Sequence, residues 1–287
     1  MYNLRTALLR VFTLFLMLGV LAAVYIMRSR MPMDAGLSIP AESERVRTAG
    51  SWLDRRVQEG LLALYTFEEH RGQILKDQTD TPLDLVATSN EPLVWREGGL
   101  QLDGHTILTS LSPAAKISSI CRERHTFTIE AWFTPASSES PEEAYIITLS
   151  TPEARDLALG QGGIRGDAAG RLIGRSSTAS PTGKMCPVLA CPDVLRPELT
   201  HLVLTGAITG RRVLYLNGQV VASDDVLGDL SNWDPEGQLS IGGDPNAPFG
   251  WQGRVHLAAI YDHALSASEV RQNFAQGMGS LGLRPED

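Results

Sequence analysis

With 287 residues, 43% hydrophobic and 20% charged, the chain can build one large domain or two small ones around a substantial core. A formal net charge of −8, with no basic stripe in the body of the chain, argues against a nucleic-acid binder held by phosphate contacts. Three cysteines are too few for a disulfide-stapled miniature and leave room for one bridge in an oxidising compartment.

Arg5 and Arg10 precede an apolar run from Val11 to Met27, interrupted only by Thr13 and Gly19, and Arg28 and Arg30 close it. At 1.5 Å per residue such a helix reaches roughly 26 Å, the short end of what crosses a bilayer core. Two readings stand: a retained anchor, or a cleaved signal peptide with Val20-Leu21-Ala22 as a poor cleavage site. The basic residues directly after the run favour the anchor. Residues 1–30 are therefore expected to form an N-terminal tip and transmembrane anchor, 31–59 a tether, 60–279 the folded domain and 280–287 a tail. The tether rests on Pro32, Gly36, Pro40 and Gly50 among alternating charges. A competing reading lays Arg45, Arg47, Trp52, Arg55 and Arg56 along the membrane surface.

From Gly60 the pattern changes to short apolar runs punctuated by Asp, Asn, Pro and Gly. Leu61 to Phe67 reads as a buried strand, followed by Leu83 to Val86, Leu93 to Trp95, Gly99 to Leu102 and Thr106 to Thr109. Ser112 and Pro113 read as N-cap and first residue of a helix that buries Ile117, Ile120 and Cys121 on one face. Phe127, Ile129, Ala131 and Phe133 alternate with Thr128, Glu130, Trp132 and Thr134, the cleanest period of two in the chain. Tyr145 to Leu149, Leu157 to Leu159 and Arg171 to Ile173 add strands. A hairpin from Val213 to Ala222 turns at Asn217-Gly218, with Val213, Tyr215, Val220 and Ala222 expected on one face and His201 to Thr205 as its preceding partner. Val255 to Tyr261 is apolar on both faces, and Val255, Leu257, Ala259 and Tyr261 are expected to share one of them. Ser266 with Glu269 then makes a capping box, Val270 and Phe274 share a helical face, and Gly277 ends the helix.

The run Trp251-Gln252-Gly253-Arg254-Val255-His256-Leu257-Ala258-Ala259-Ile260-Tyr261-Asp262-His263-Ala264-Leu265-Ser266-Ala267-Ser268-Glu269-Val270 resembles the closing signature of laminin-G-like jelly rolls of the concanavalin A-like lectin/glucanase superfamily. Leu61 to Phe67, with Glu68 and Glu69, resembles the opening strand of the same family. The resemblance implies an all-β, two-sheet antiparallel jelly-roll sandwich whose first and last strands pair, here with an N-terminal transmembrane helix and a short C-terminal helix. It departs at His256 and Leu257, where many members carry an acidic pair. Lys and Arg counted near the ends of the apolar run do not favour an exported C-terminus. The expected orientation, inner membrane single-pass with the C-terminal domain in the periplasm, follows from the mostly extracytoplasmic family and a membrane-anchored bacterial type.

Glucanases of the superfamily need two carboxylates about 5 Å apart on one strand face. Here Glu130 stands alone between Thr128 and Trp132, and Glu142 and Glu143 fall in a loop, so no catalytic residue is expected. No cofactor is expected either. Calcium, which the family often binds at a rim loop, has Asp77, Asp80 and Asp84 or Asp244 and Asn246 as candidate ligands, but these residue types are also ordinary turn formers, and no metal site is assigned. Asn232, Trp233 and Asp234 in one loop, with Trp251 in the next, offer an aromatic platform for a sugar ring or a protein side chain. The alternative packs Trp251 under its strand. The connection from Ser176 to Pro197 contains Cys186 and Cys191. It reads as a surface arm, with a Cys186–Cys191 bridge, a bridge from Cys121, or free thiols all open. The function expected is a non-catalytic interaction module docking on a larger membrane protein complex. The alternative is glycan binding at the sandwich rim.

Overall fold

The computed structural model describes residues 52–96, 98–140, 142–162, 171–180, 187–192, 194–247 and 250–277. The expected anchor from Val11 to Met27, the tether up to Ser51, Cys186 and the tail lie outside them. Among the described residues no helix is long and apolar enough to cross a membrane.

After a single 3-10 turn at Leu53–Arg55, the strands and α-helices begin with β1 (Leu61–Tyr65), β2 (Ile74–Leu75), β3 (Leu85–Ala87), β4 (Val94–Arg96), β5 (Gly99–Asp103), β6 (Leu108–Ser110) and helix α1 (Ala115–Arg124). Then come β7 (Phe127–Pro135), β8 (Ala144–Ser150), β9 (Arg155–Gln161), β10 (Leu172–Ser176), β11 (Leu189–Cys191) and β12 (Thr200–Gly206). The series closes with β13 (Arg211–Leu216), β14 (Gln219–Asp225), β15 (Gln238–Ile241), β16 (Gln252–Tyr261) and helix α2 (Ala267–Gln276). All neighbours pair antiparallel. The first sheet runs β14-β13-β12-β7-β16-β5-β4, with β1 beside the C-terminal half of β16, and the second runs β11-β10-β9-β8-β15-β6-β3-β2. First and last strands therefore pair, as the resemblance implied.

The alternation along β7 does what it predicts: Phe127, Ile129, Ala131 and Phe133 face the interior between the sheets. The opposite face is not left to water. Trp132 there joins Leu257, Ala259 and Tyr261 of β16 in a second apolar cluster, covered by Val270 and Phe274 of α2. This second layer explains why β16 is apolar on both sides. One residue departs from the expected phase. The register slips between Val255 and Leu257, so Val255 joins Ala258 and Ile260 in the interior while Leu257, Ala259 and Tyr261 lie under the helix. A bulge inserts one extra residue and reverses which face each side chain takes, and alternation cannot reveal it.

The same device alters the hairpin. Asn217 and Gly218 adopt positive φ of 49° and 77°, as the turn requires. Tyr215 opposes Val220 as expected, but the register then shifts, and Ala222 lies opposite Leu214 rather than beside Tyr215. Helix α1 starts at Ala115, not Pro113. Ala114 takes the cap position without a side-chain hydrogen bond, its N–H donating to Gly237 O at 2.7 Å. Cys121 is buried on this helix as an unbridged thiol, and burial pushes it up to about 12, which leaves it unreactive.

Two segments expected outside the scaffold belong to it. Arg56 and Val57, at the end of the expected tether, are buried against the first sheet and α2. Within the connection from Ser176 to Pro197, β11 pairs with β10, and Leu189 and Leu195 are buried in the core. That part of the expected surface arm is structural.

Candidate binding site

The six positions singled out as a binding surface separate into three places. Trp233 is core: its ring packs on Phe127 with centroids 5.5 Å apart, and its Nε1 donates to Ser177 O at 3.0 Å. Asn232 donates to Ser177 Oγ at 3.1 Å, and the Asp234 N–H donates to Asp156 Oδ2 at 2.8 Å, so this loop is bolted to the ends of β9 and β10. Trp251 is core too. It meets Phe133 edge-on at 5.7 Å and donates from Nε1 to Gln161 Oε1 at 2.9 Å. Its ring lies over Gly253, where a Cβ would come within 2.3 Å of the indole. The expected aromatic platform is therefore not present: both rings are buried with their N–H groups satisfied by protein, and a platform needs an exposed face.

Asp244 and Asn246 do sit together, in a polar ladder running from the end of β15 across β8, β9 and β10. Arg155 holds Asp244 through Nε at 2.8 Å and through Nη2. Ser150 Oγ and Asn246 N donate to the other Asp244 oxygen at 3.2 and 2.9 Å. Arg155 also stacks over the Tyr145 ring at 4.2 Å and donates to its hydroxyl at 3.3 Å. The Tyr145 hydroxyl in turn donates to Glu143, which accepts from Arg175 at 2.9 and 3.1 Å. Glu143 was weighed only as a catalytic carboxylate, and Arg155, Tyr145 and Arg175 were not singled out from the sequence. The outward positions of these three on β8 to β10 became readable only with the strand register.

Glu143 also lines a cavity of about 280 Å³ at the rim of the sandwich, with Ser137, Glu139, Glu142, Gln161 and Gln252. The β7–β8 loop can close over the end of β9 because Gly162, at φ 98°, has no Cβ. One built there would lie 2.1 Å from Glu142 O. Trp251 thus stands behind this cavity, through Gln161, rather than in it.

Three of the calcium candidates, Asp77, Asp84 and Asp244, are occupied by protein groups. Asp77 is fully buried and accepts the N–H groups of Leu64, Thr79 and Leu83 at 3.0, 3.1 and 2.9 Å and the Lys116 ammonium at 2.9 Å. Asp84 pairs with Lys76. Asp244 has its own arginine. Among the described residues no group of three or more His, Cys, Asp or Glu is arranged to hold a metal.

Glu130, the one strand carboxylate considered for catalysis, lies beneath α2 with no exposed surface. Arg56 pairs with its Oε1, His201 Nε2 donates to the same oxygen at 2.9 Å, and Asn273 donates to Oε2 at 2.9 Å. Arg56 also donates to the C-terminal carbonyls of α2, Asn273 O at 3.3 Å and Gly277 O at 3.2 Å, where the helix dipole favours a cation. Burial pushes the Glu130 carboxyl up, but Arg56 and His201 overcome it and hold it at about 2. Burial pushes His201 below its ordinary value, and likewise His256 to about 4. His256 is held by Thr134 Oγ1 at 2.9 Å and by Gly98 O.

These shifts all act in one direction. Each folded-state value lies below the unfolded one, so on acidification the unfolded chain takes up protons first and stability falls. The loss starts below the 6.5 of a free imidazole, continues to about 4 for His256, and runs from 4.5 to about 2 for Glu130. Urea midpoints measured from pH 8 to pH 3 should fall steadily below pH 6.5. A midpoint that stays level to pH 4 would contradict neutral, buried imidazoles.

Solved structures of the same fold place these features in context. The binding domain of botulinum neurotoxin DC, in complex with rat synaptotagmin II, superposes with a TM-score of 0.56 at 11% identity, over 75% of this chain and 51% of that one. Domain 4 of AbnA, an extracellular GH43 arabinanase from Geobacillus stearothermophilus in complex with arabinotriose, gives 0.51 at 17% identity, over 74% of this chain and 97% of that one. Trypanosoma rangeli sialidase gives 0.51 at 18% identity, over 76% of this chain and 33% of that one. The chain thus spans about half the length of the toxin binding domain it resembles. No curated protein sequence matches it. The Laminin_G_3 family model, described as the concanavalin A-like lectin/glucanases superfamily, matches residues 110–271, which run from β6 into α2 and include the capping box. The chain belongs to that superfamily.

Proposed function

We propose that the chain is a non-catalytic interaction module, held at a bacterial inner membrane by the helix expected from Val11 to Met27, with its sandwich in the periplasm and a membrane protein as partner. The rim cavity carries this reading. A recess of about 280 Å³, walled by Glu139, Glu142 and Glu143 with two glutamine amides beside them, has the size of one side chain or one sugar ring. Glu139 and Glu142 favour a Lys or Arg side chain from a partner, Glu143 being already paired with Arg175. The state of the other carboxylates supports binding rather than hydrolysis, since Glu130 and Asp244 are each neutralised by a buried or half-buried arginine. A similar domain solved with synaptotagmin is in keeping with a protein partner.

Glycan binding at the same rim is the second reading, favoured by the hydroxyl and amide groups of the cavity and by the arabinotriose complex of the similar arabinanase domain. Pull-down from solubilised native membranes should recover a stoichiometric protein with the wild type and about tenfold less with Glu139→Lys/Glu142→Lys. A glycan-array signal abolished by the same double variant, with no protein recovered, would transfer the function to glycan binding. Recovery unchanged by the double variant would remove the rim from either role.

A further inference from the structure

The two sheets end on the same side of the sandwich in β4 and β2, and each of these strands has, among the described residues, a strand partner on one side only. Trp95 Nε1 donates to Gly72 O at 3.1 Å and Gln73 Nε2 to Glu91 O at 2.9 Å, which ties the two ends together and leaves an open groove of about 500 Å³ between them. Val94 and Ile74, on these terminal strands, are 42% and 43% exposed. A bare apolar strand edge is a liability that soluble proteins ordinarily cover or charge. Here the charge is of one sign. Among the described residues the groove lining holds Arg71 and Arg96 and no carboxylate, in a chain whose net charge is −8. Gln73, also in the lining, keeps its Oε1 without a hydrogen-bond partner while its amide nitrogen is used.

We propose that this groove takes an extended acidic segment of a partner protein, added as a further strand beside β4. Strand addition supplies main-chain hydrogen bonds at a free edge, and alternate side chains supply the selectivity. Val94 and Arg96 lie two apart on one face of β4 and Trp95 on the other. A segment with carboxylates at every second position therefore sets them beside Arg96, with Arg71 elsewhere in the lining, and its apolar side chains beside Trp95. This surface is separate from the rim cavity, and it holds or fails independently of it.

The probe is a fluorescein-labelled octapeptide, alternating Glu and Val, read by fluorescence anisotropy against the full chain in non-ionic detergent. Saturable binding is expected, weakened about tenfold by Arg71→Glu/Arg96→Glu. Both arginines are exposed, so the double variant should melt at the wild-type temperature. The same peptide N-methylated at every residue keeps its charge but offers no N–H to an edge, and on the wild-type protein it should not bind. Four results overturn the proposal: no saturable binding, equal binding of a Lys-Val peptide, unchanged affinity of the double variant, or equal binding of the N-methylated peptide. Displacement of the peptide by oligogalacturonate binding more tightly would likewise overturn it, assigning the groove to acidic glycans.

Discussion

Glu130→Ala is expected to lower the stability of the sandwich by about 3–5 kcal/mol, because it leaves the Arg56 guanidinium buried without a counter-charge. Both members of this pair are essentially inaccessible to solvent, at 1% and 0% side-chain exposure, so water cannot replace the lost carboxylate. The loss also strips His201 Nε2 of its acceptor and leaves Asn273 Nδ2 with the Tyr261 hydroxyl alone. Adding Arg56→Met to the same variant removes the stranded charge and should recover part of the loss, although the two contacts from Arg56 to the end of α2 go with it. Urea midpoints of the two single variants and the double variant decide the matter. Additive losses, or a Glu130→Ala midpoint equal to wild type, would mean that the pair is not coupled and that the cluster does not hold the helix down.

Trp132→Ala should cost about 3–5 kcal/mol, the range for removing a large aromatic side chain from a packed site. Its indole is fully buried on the outer face of the first sheet. It lies between the His201 ring, with centroids 4.6 Å apart, and the Phe274 ring at 5.7 Å and an interplanar angle of 5°. The substitution opens a void under α2 rather than between the sheets. Loss of helical signal should therefore accompany the fall in midpoint, and Phe274→Ala should reproduce a smaller version of both. An unchanged midpoint would show that α2 does not pack on this face.

Much of the architecture was readable from the chain, and the parts that were not have identifiable causes. The β7 alternation, the Asn217-Gly218 turn and the Ser266/Glu269 capping box are local signals, and all three hold: Ser266 accepts the Glu269 N–H at 3.3 Å, and Glu269 accepts the Ser266 N–H at 2.8 Å. Periodicity failed at the two bulges because a single extra residue changes the face of everything after it. Arg56 was read as tether because nothing within its own neighbourhood marks it. Its partners stand 74 and 217 residues away, at Glu130 and Asn273. The tryptophans were ambiguous for a chemical reason, since an indole suits both an exposed platform and a core with one polar contact, and only the positions of Ser177 and Gln161 decide between them. The rim cavity is assembled from the β7–β8 loop, the end of β9 and the start of β16, three segments that no sequence window contains together.

The central place of β16 has a consequence for how the protein is made. β1, β5 and β7 all pair with it, yet among the described strands it is the last to leave the ribosome. Until residues 252–261 emerge, earlier strands wait with apolar faces uncovered and hydrogen-bonding edges unmatched, the condition in which nascent chains aggregate. Completion then requires contacts across most of the length of the domain, which is slow. A chain halted short of Gln252 therefore lacks the strand that joins its first half into a sheet.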